Sequence, residues 1–140
     1  MDRIKSDFFR TTLLNERRLG CRQSLTFLDL PFPVDHTAHG PDDLSVLAPG
    51  KKTLVFVEGA MLERLLPGLE QLSNGSALAF DWPTGGAGEG PGRLDLLLSR
   101  YGFRLYEQRD FYDTLLWYQQ MGSRMPYGPH RRSLCLAVRR

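Results

Sequence analysis

The sequence predicts an α/β domain: a mainly parallel sheet of about five strands with flanking helices, closed by a last strand for which an antiparallel pairing is open. Three observations carry this. Apolar strand-like runs alternate with helical patterns along the chain, the order expected of parallel crossovers. The stretch TLVFVEG, from Thr53 to Gly59, ends an apolar run on an acid and a glycine and leads straight into a helix. In open α/β sheets that junction is where ligands bind. Finally, 140 residues with 41% hydrophobic content suit one domain with a single core, residues 1–140.

Each element has its own signal. Between Asp7 and Leu19 the residues Phe8, Phe9, Leu13, Leu14 and Leu19 mark a helix face, and Gly20 can stop it. SLTFLDLPF, Ser24 to Phe32, reads as a nearly continuous apolar strand ending in Asp29, with Pro31 and Pro33 forbidding its extension. PVDHTAHGPDD is rich in turn formers and reads as a loop. Asp42 or Asp43 then caps a short helical turn through Leu47. Thr53 to Val57 reads as a buried strand. Met61, Leu62, Leu65, Leu66, Leu69 and Leu72 recur at helical spacing, with Pro67 as a flaw and Asn74-Gly75 as the closing turn.

Ala77 to Asp81 is the next strand, and the glycine-rich stretch DWPTGGAGEGPG leads to a helix from Arg93 to Arg100. Gly102 stops that helix. FRLYEQRD alternates as a strand, FYDTLLWYQQM (Phe111 to Met121) reads as a helix, and Ser133 to Val138 is the last strand.

Composition excludes several classes. Net charge is +2, and no aromatic residues interleave with Arg131, Arg132, Arg139 and Arg140, so these read as a solvated tail and no nucleic-acid partner is expected. Cys21 and Cys135 give neither a metal spacing nor a disulfide framework, which points to a reducing cytoplasm. No run of about 18 apolar residues and no signal-peptide pattern occurs, so no membrane span is expected.

The ordered set TTLLNERR, a strand ending in DL, TLVFVEG, LSNGSALAFD, YGFRLYEQRD and SLCLAVRR resembles the C-terminal half of class I methyltransferases that use S-adenosylmethionine. It is most similar to the leucine carboxyl methyltransferase-like group. The resemblance implies a Rossmann-like, truncated methyltransferase-type fold. It implies S-adenosylmethionine as cofactor and methyl transfer to an oxygen, such as that of a carboxylate. It also carries two positions over: Asp29 near the adenine ring, and Glu58 with Gly59 at the strand end bordering cofactor and acceptor. Physical chemistry gives each another reading. Asp29 is also a turn acid before a proline, and Glu58 a helix N-cap or first-turn acid facing the macrodipole. Tyr112 and Trp117, on the expected helix between the last two strands, are substrate candidates at the mouth of such a fold. No catalytic residue is identified.

The upstream half, which in that family cradles the methionine part of the cofactor, has no counterpart in the residues before Asp29. Three alternatives follow: a fragment of a longer chain, a subunit that pairs with a partner, or a descendant that no longer methylates. A half-sheet with exposed edges is a liability unless covered. A homodimer, or a partner subunit covering the first strand, is therefore expected, and a non-catalytic interaction module is the second functional reading.

Other constellations weigh less. Gly85 to Gly90 follow a strand and precede a helix, the outline of a nucleotide-binding turn, but Pro91 falls where that pattern wants glycine and Trp82-Pro83-Thr84 lengthen the junction. A surface loop is the simpler reading of Gly85–Gly92. His36 and His39 lie near Asp35, Asp42 and Asp43, yet the geometry of a third ligand is missing, so no metal is expected. Asp35-His36 could serve as an acid–base pair, yet a solvated loop explains them as well, and Cys21 has no identifiable base partner.

Overall fold

The computed structural model describes residues 3–83, 91–112 and 131–140. Their order is α1 (Arg3–Arg18), β1 (Gln23–Thr26), β2 (His36–Thr37), a 3-10 helix (Pro41–Val46), β3 (Thr53–Val57), α2 (Gly59–Leu69), β4 (Ala77–Pro83), α3 (Pro91–Arg100), β5 (Phe103–Tyr112) and β6 (Arg131–Arg139). The strands form one sheet in the order β2-β1-β3-β4-β6-β5. β2, β1, β3 and β4 run parallel. β6 is antiparallel to both its neighbours. The antiparallel closing strand left open by the sequence is therefore present, but it lies between β4 and β5 rather than at the edge.

Alternation along the strands sorts the core into two layers. Leu54 and Phe56, Ala77 and Ala79, and Leu134 and Leu136 face α1, where Phe8, Phe9 and Leu13 cover them. Phe56 takes Phe9 and Phe32 edge-on, at 5.4 and 6.0 Å between ring centres. Val55, Val57, Leu78, Phe80, Cys135 and Ala137 face the other way, under leucines of α2 and α3. Because both faces are covered, all of Thr53–Val57 is buried, which is why β3 reads as a continuous apolar run rather than an alternating one.

Of the boundaries that differ from the sequence expectation, three change the reading of the sheet. The first strand stops at Thr26 rather than Asp29, because the Thr26 hydroxyl turns the chain: Leu28 N–H donates to Oγ1 at 3.1 Å, and Oγ1 donates to the Leu28 carbonyl at 2.7 Å. β2 arises inside the expected loop and is held by a side chain. Ser24 N–H donates to the Asp35 carboxylate at 2.9 Å, and Asp35 N–H donates back to Ser24 Oγ at 3.0 Å. Phe111 and Tyr112 end β5 instead of opening a helix; the remainder of that expected helix, Trp117 included, lies outside the described residues. α1 and α3 do stop where glycine permits it, at Gly20 (φ 105°) and Gly102 (φ 82°).

The expectation of a solvated arginine tail is corrected in part. Arg139 donates through Nε to the Glu70 carbonyl at 3.1 Å and through Nη1 to the Gly102 carbonyl at 3.2 Å, and its guanidinium lies 5.9 Å from the Phe103 ring centre. It ties the end of α2 to the start of β5. Among the described residues no helix is long and apolar enough to cross a membrane.

Candidate functional site at the carboxyl edge of the sheet

The chain leaves β1 toward β2 on one side and then enters β3 on the other. The mouth between β1 and β3 is therefore a topological switch point, the usual crevice for ligands in such sheets. The ladder there ends at the hydrogen bond from Phe27 N–H to the Phe56 carbonyl, 2.9 Å. Beyond it the chains diverge. Asp29 follows the Thr26 turn and is exposed; Glu58 follows β3 directly and is exposed. Two carboxylates thus stand at neighbouring strand ends with water access. Glu58 occupies the N-cap position of α2 in an extended conformation (φ −75°, ψ 134°), but its side chain makes no capping bond.

The first donor of α2 is taken from elsewhere. Gly59 N–H donates to Asp81 Oδ1 at 2.9 Å. Gly59 is buried, and a Cβ at that position would overlap the Asp81 carbonyl oxygen. Its glycine is thus explained by the close approach of helix and strand, not by access to a ligand. The structure separates Glu58 from Gly59 in this sense: the acid faces solvent and the glycine faces β4.

Asp81 is the centre of this edge and was read from the sequence only as the end of a strand. It is 3% exposed. Its Oδ2 accepts from Arg132 Nε at 2.8 Å and lies 2.6 Å from Arg132 Nη2; its Oδ1 lies 3.4 Å from Lys5 Nζ. Burial pushes the carboxyl up, but the Lys5 charge, the Gly59 N–H and the Arg132 guanidinium outweigh it and hold Asp81 below the usual carboxylate range. The cluster joins α1, α2, β4 and β6. Its acid was visible in ALAFD, although β4 runs past it to Pro83. Its partners, 76 positions upstream at Lys5 and 51 downstream at Arg132 by subtraction of residue numbers, have no local signal. Arg132 is accordingly an internal partner and no part of a solvated tail.

The remaining candidates resolve as follows. Tyr112 is the last residue of β5, opposite Arg131 at this same edge of the sheet. Trp117 and Gly85–Gly90 lie outside the described residues. Asp35 is engaged with Ser24 rather than with His36. No group of three or more His, Cys, Asp or Glu that could hold a metal occurs among the described residues. Cys21 does have an acidic neighbour, Glu16, whose Oε2 accepts from Sγ at 3.7 Å. Burial, reinforced by that carboxylate, pushes the thiol up to about 12, so it is protonated at neutral pH and is no nucleophile. Burial likewise raises Glu16, against the Cys21 bond and the Lys52 charge.

No family model matches the sequence, and no curated protein matches it. Solved structures do. A magnesium protoporphyrin IX methyltransferase from Synechocystis PCC 6803 with bound SAH aligns over 96% of this chain and 81% of its own, at 10% identity and a TM-score of 0.51. A precorrin-6y C5,15-methyltransferase from Geobacter metallireducens GS-15 aligns over 76% of this chain at 15% identity and a TM-score of 0.43. The alignment covers 53% of that protein, so the chain spans about half its length. At such identities the likeness is one of architecture alone: the chain has a Rossmann-like α/β fold similar to that of the Synechocystis enzyme.

Proposed function

We propose that the chain is an S-adenosylmethionine-binding, methyltransferase-like domain of the leucine carboxyl methyltransferase-like type, which supplies the adenosine and acceptor side of a site for methyl transfer to oxygen, with a carboxylate as acceptor. The observation that carries this reading is the pair of exposed carboxylates, Asp29 and Glu58, at the switch point between β1 and β3. Ribose hydroxyls and the adenine amine are donors, and carboxylates are the acceptors they need. The cofactor, when bound, supplies an electrophilic methyl group on its sulfonium. The chain's own contribution is to orient: Asp29 and Glu58 hold the nucleoside, and the Asp81 cluster fixes the β4 edge beside them, in keeping with a reaction that asks mainly for alignment. Asp81 also occupies the Gly59 N–H, the first donor of α2, so the cofactor's amino-acid carboxylate would be held elsewhere.

That last observation favours a second reading, an interaction module with a partner subunit that completes or replaces the site; the first strand expected to be covered by such a partner is already flanked by β2 and β3. Titration calorimetry with S-adenosylmethionine and S-adenosylhomocysteine separates the two. Micromolar binding, weakened about tenfold or more by Asp29→Ala and by Glu58→Ala as expected for lost charge-assisted hydrogen bonds, supports the first. An absence of heat at millimolar ligand from a folded sample sinks it in favour of the module.

A further inference from the structure

The two edges of the sheet are unequal. β2 offers two residues, whereas β5 offers Phe103–Tyr112, and among the described residues no strand pairs with its outer side. A long edge strand is a template for another strand. We propose that β5 is a homodimer interface, pairing antiparallel with β5 of a second copy about a two-fold axis through Gln108. This goes beyond the cofactor reading and does not depend on it.

The choice of a second copy and of this register rests on charge. The ladder to β6 is irregular between Leu105 and Glu107, which leaves Tyr106 as an extra residue. Beyond it Glu107 lies opposite Leu136 and Arg109 opposite Leu134, both on the α1 side of the sheet. In an antiparallel self-pair the opposed residues must share the same hydrogen-bonding phase, so the axis passes through a residue and not between two. An axis through Glu107 sets that acid against itself, and one through Arg109 sets two guanidinium groups face to face. An axis through Gln108 sets Glu107 opposite Arg109 of the second copy, and does so twice by symmetry. Within one chain Arg109 Nε and Glu107 Oε1 already lie 2.6 Å apart, with Arg109 largely in water. Opening that surface pair to re-form it across the interface therefore forfeits little.

The test uses charge reversal and sedimentation equilibrium of the full chain. The wild-type chain is expected to dimerise at micromolar concentration. Glu107→Arg and Arg109→Glu should each weaken dimerisation about tenfold or more, since each replaces opposite charges by like charges at both symmetric contacts. Mixing the two single variants should restore association as a heterodimer, and the E107R/R109E double variant should dimerise like the wild type. Far-UV circular dichroism confirms that each variant is folded. A wild-type chain that sediments as a monomer, single variants that dimerise undiminished, or a mixture that associates no better than its components would each overturn the interface.

Discussion

At the scale of single residues, Asp81 illustrates how a buried charge is tolerated. Its two oxygens are shared among a helix N–H, a lysine from α1 and an arginine from β6, so the acid is compensated on every side that burial strips of water. Breaking such a set is costly, because the partners are left without their counter-charge. Asp81→Asn, which keeps the shape, is expected to lower stability by about 3 kcal/mol in urea unfolding. The pH dependence follows from the lowered folded value. The unfolded acid titrates near about 3.9, so the stabilisation is complete above that pH and is lost as pH falls through the lower folded value. Asp81→Asn should flatten that acid arm of the stability curve, and urea titrations between neutral and strongly acidic pH check it.

At the scale of elements, α2 carries an avoidable defect. Pro67 stands inside Gly59–Leu69 and has no N–H for the preceding turn. Glu63 and Pro67 are both exposed, so water can serve the orphaned Glu63 carbonyl, and the helix continues. Restoring the donor gains helix stability, partly offset by a more flexible unfolded chain. Pro67→Ala is expected to raise stability by roughly 1–2 kcal/mol, read as a higher Tm. The same element shows what is legible without a structure. Its leucine spacing placed the helix, and the apolar run Thr53–Val57 placed its strand to the residue, because both patterns report burial directly. β2 was not legible: His36–Thr37 has no apolar pattern, and its pairing depends on Asp35 reaching Ser24. The end of β1 was misplaced for a similar reason, since a threonine hydroxyl turns the chain at Thr26, before Asp29. Glu58 could be placed at its strand end from sequence, whereas Asp29 falls beyond the Thr26 turn and the Lys5–Asp81–Arg132 cluster had no local signal, being assembled only by tertiary contact.

At the scale of the whole molecule, the sheet has a protected centre and a weak flank. β3 and β4 are flanked by strands on both sides and covered by helices on both faces, whereas β2 contributes a short outer rung. Native-state hydrogen exchange should accordingly find the slowest amides in β3 and β4 and fast exchange in β2, with β1 in between. A flat profile across these strands would contradict the layered core. The position of β6 has a further consequence, in the order of synthesis. β6 is made after both strands it joins, so β5 has no sheet to enter while Phe103–Tyr112 is already translated. Until Arg131–Arg139 has been made and has paired with β4, β5 is an unpaired strand. Arg104, Glu107 and Arg109 interrupt its apolar residues and act as gatekeepers against aggregation in that state.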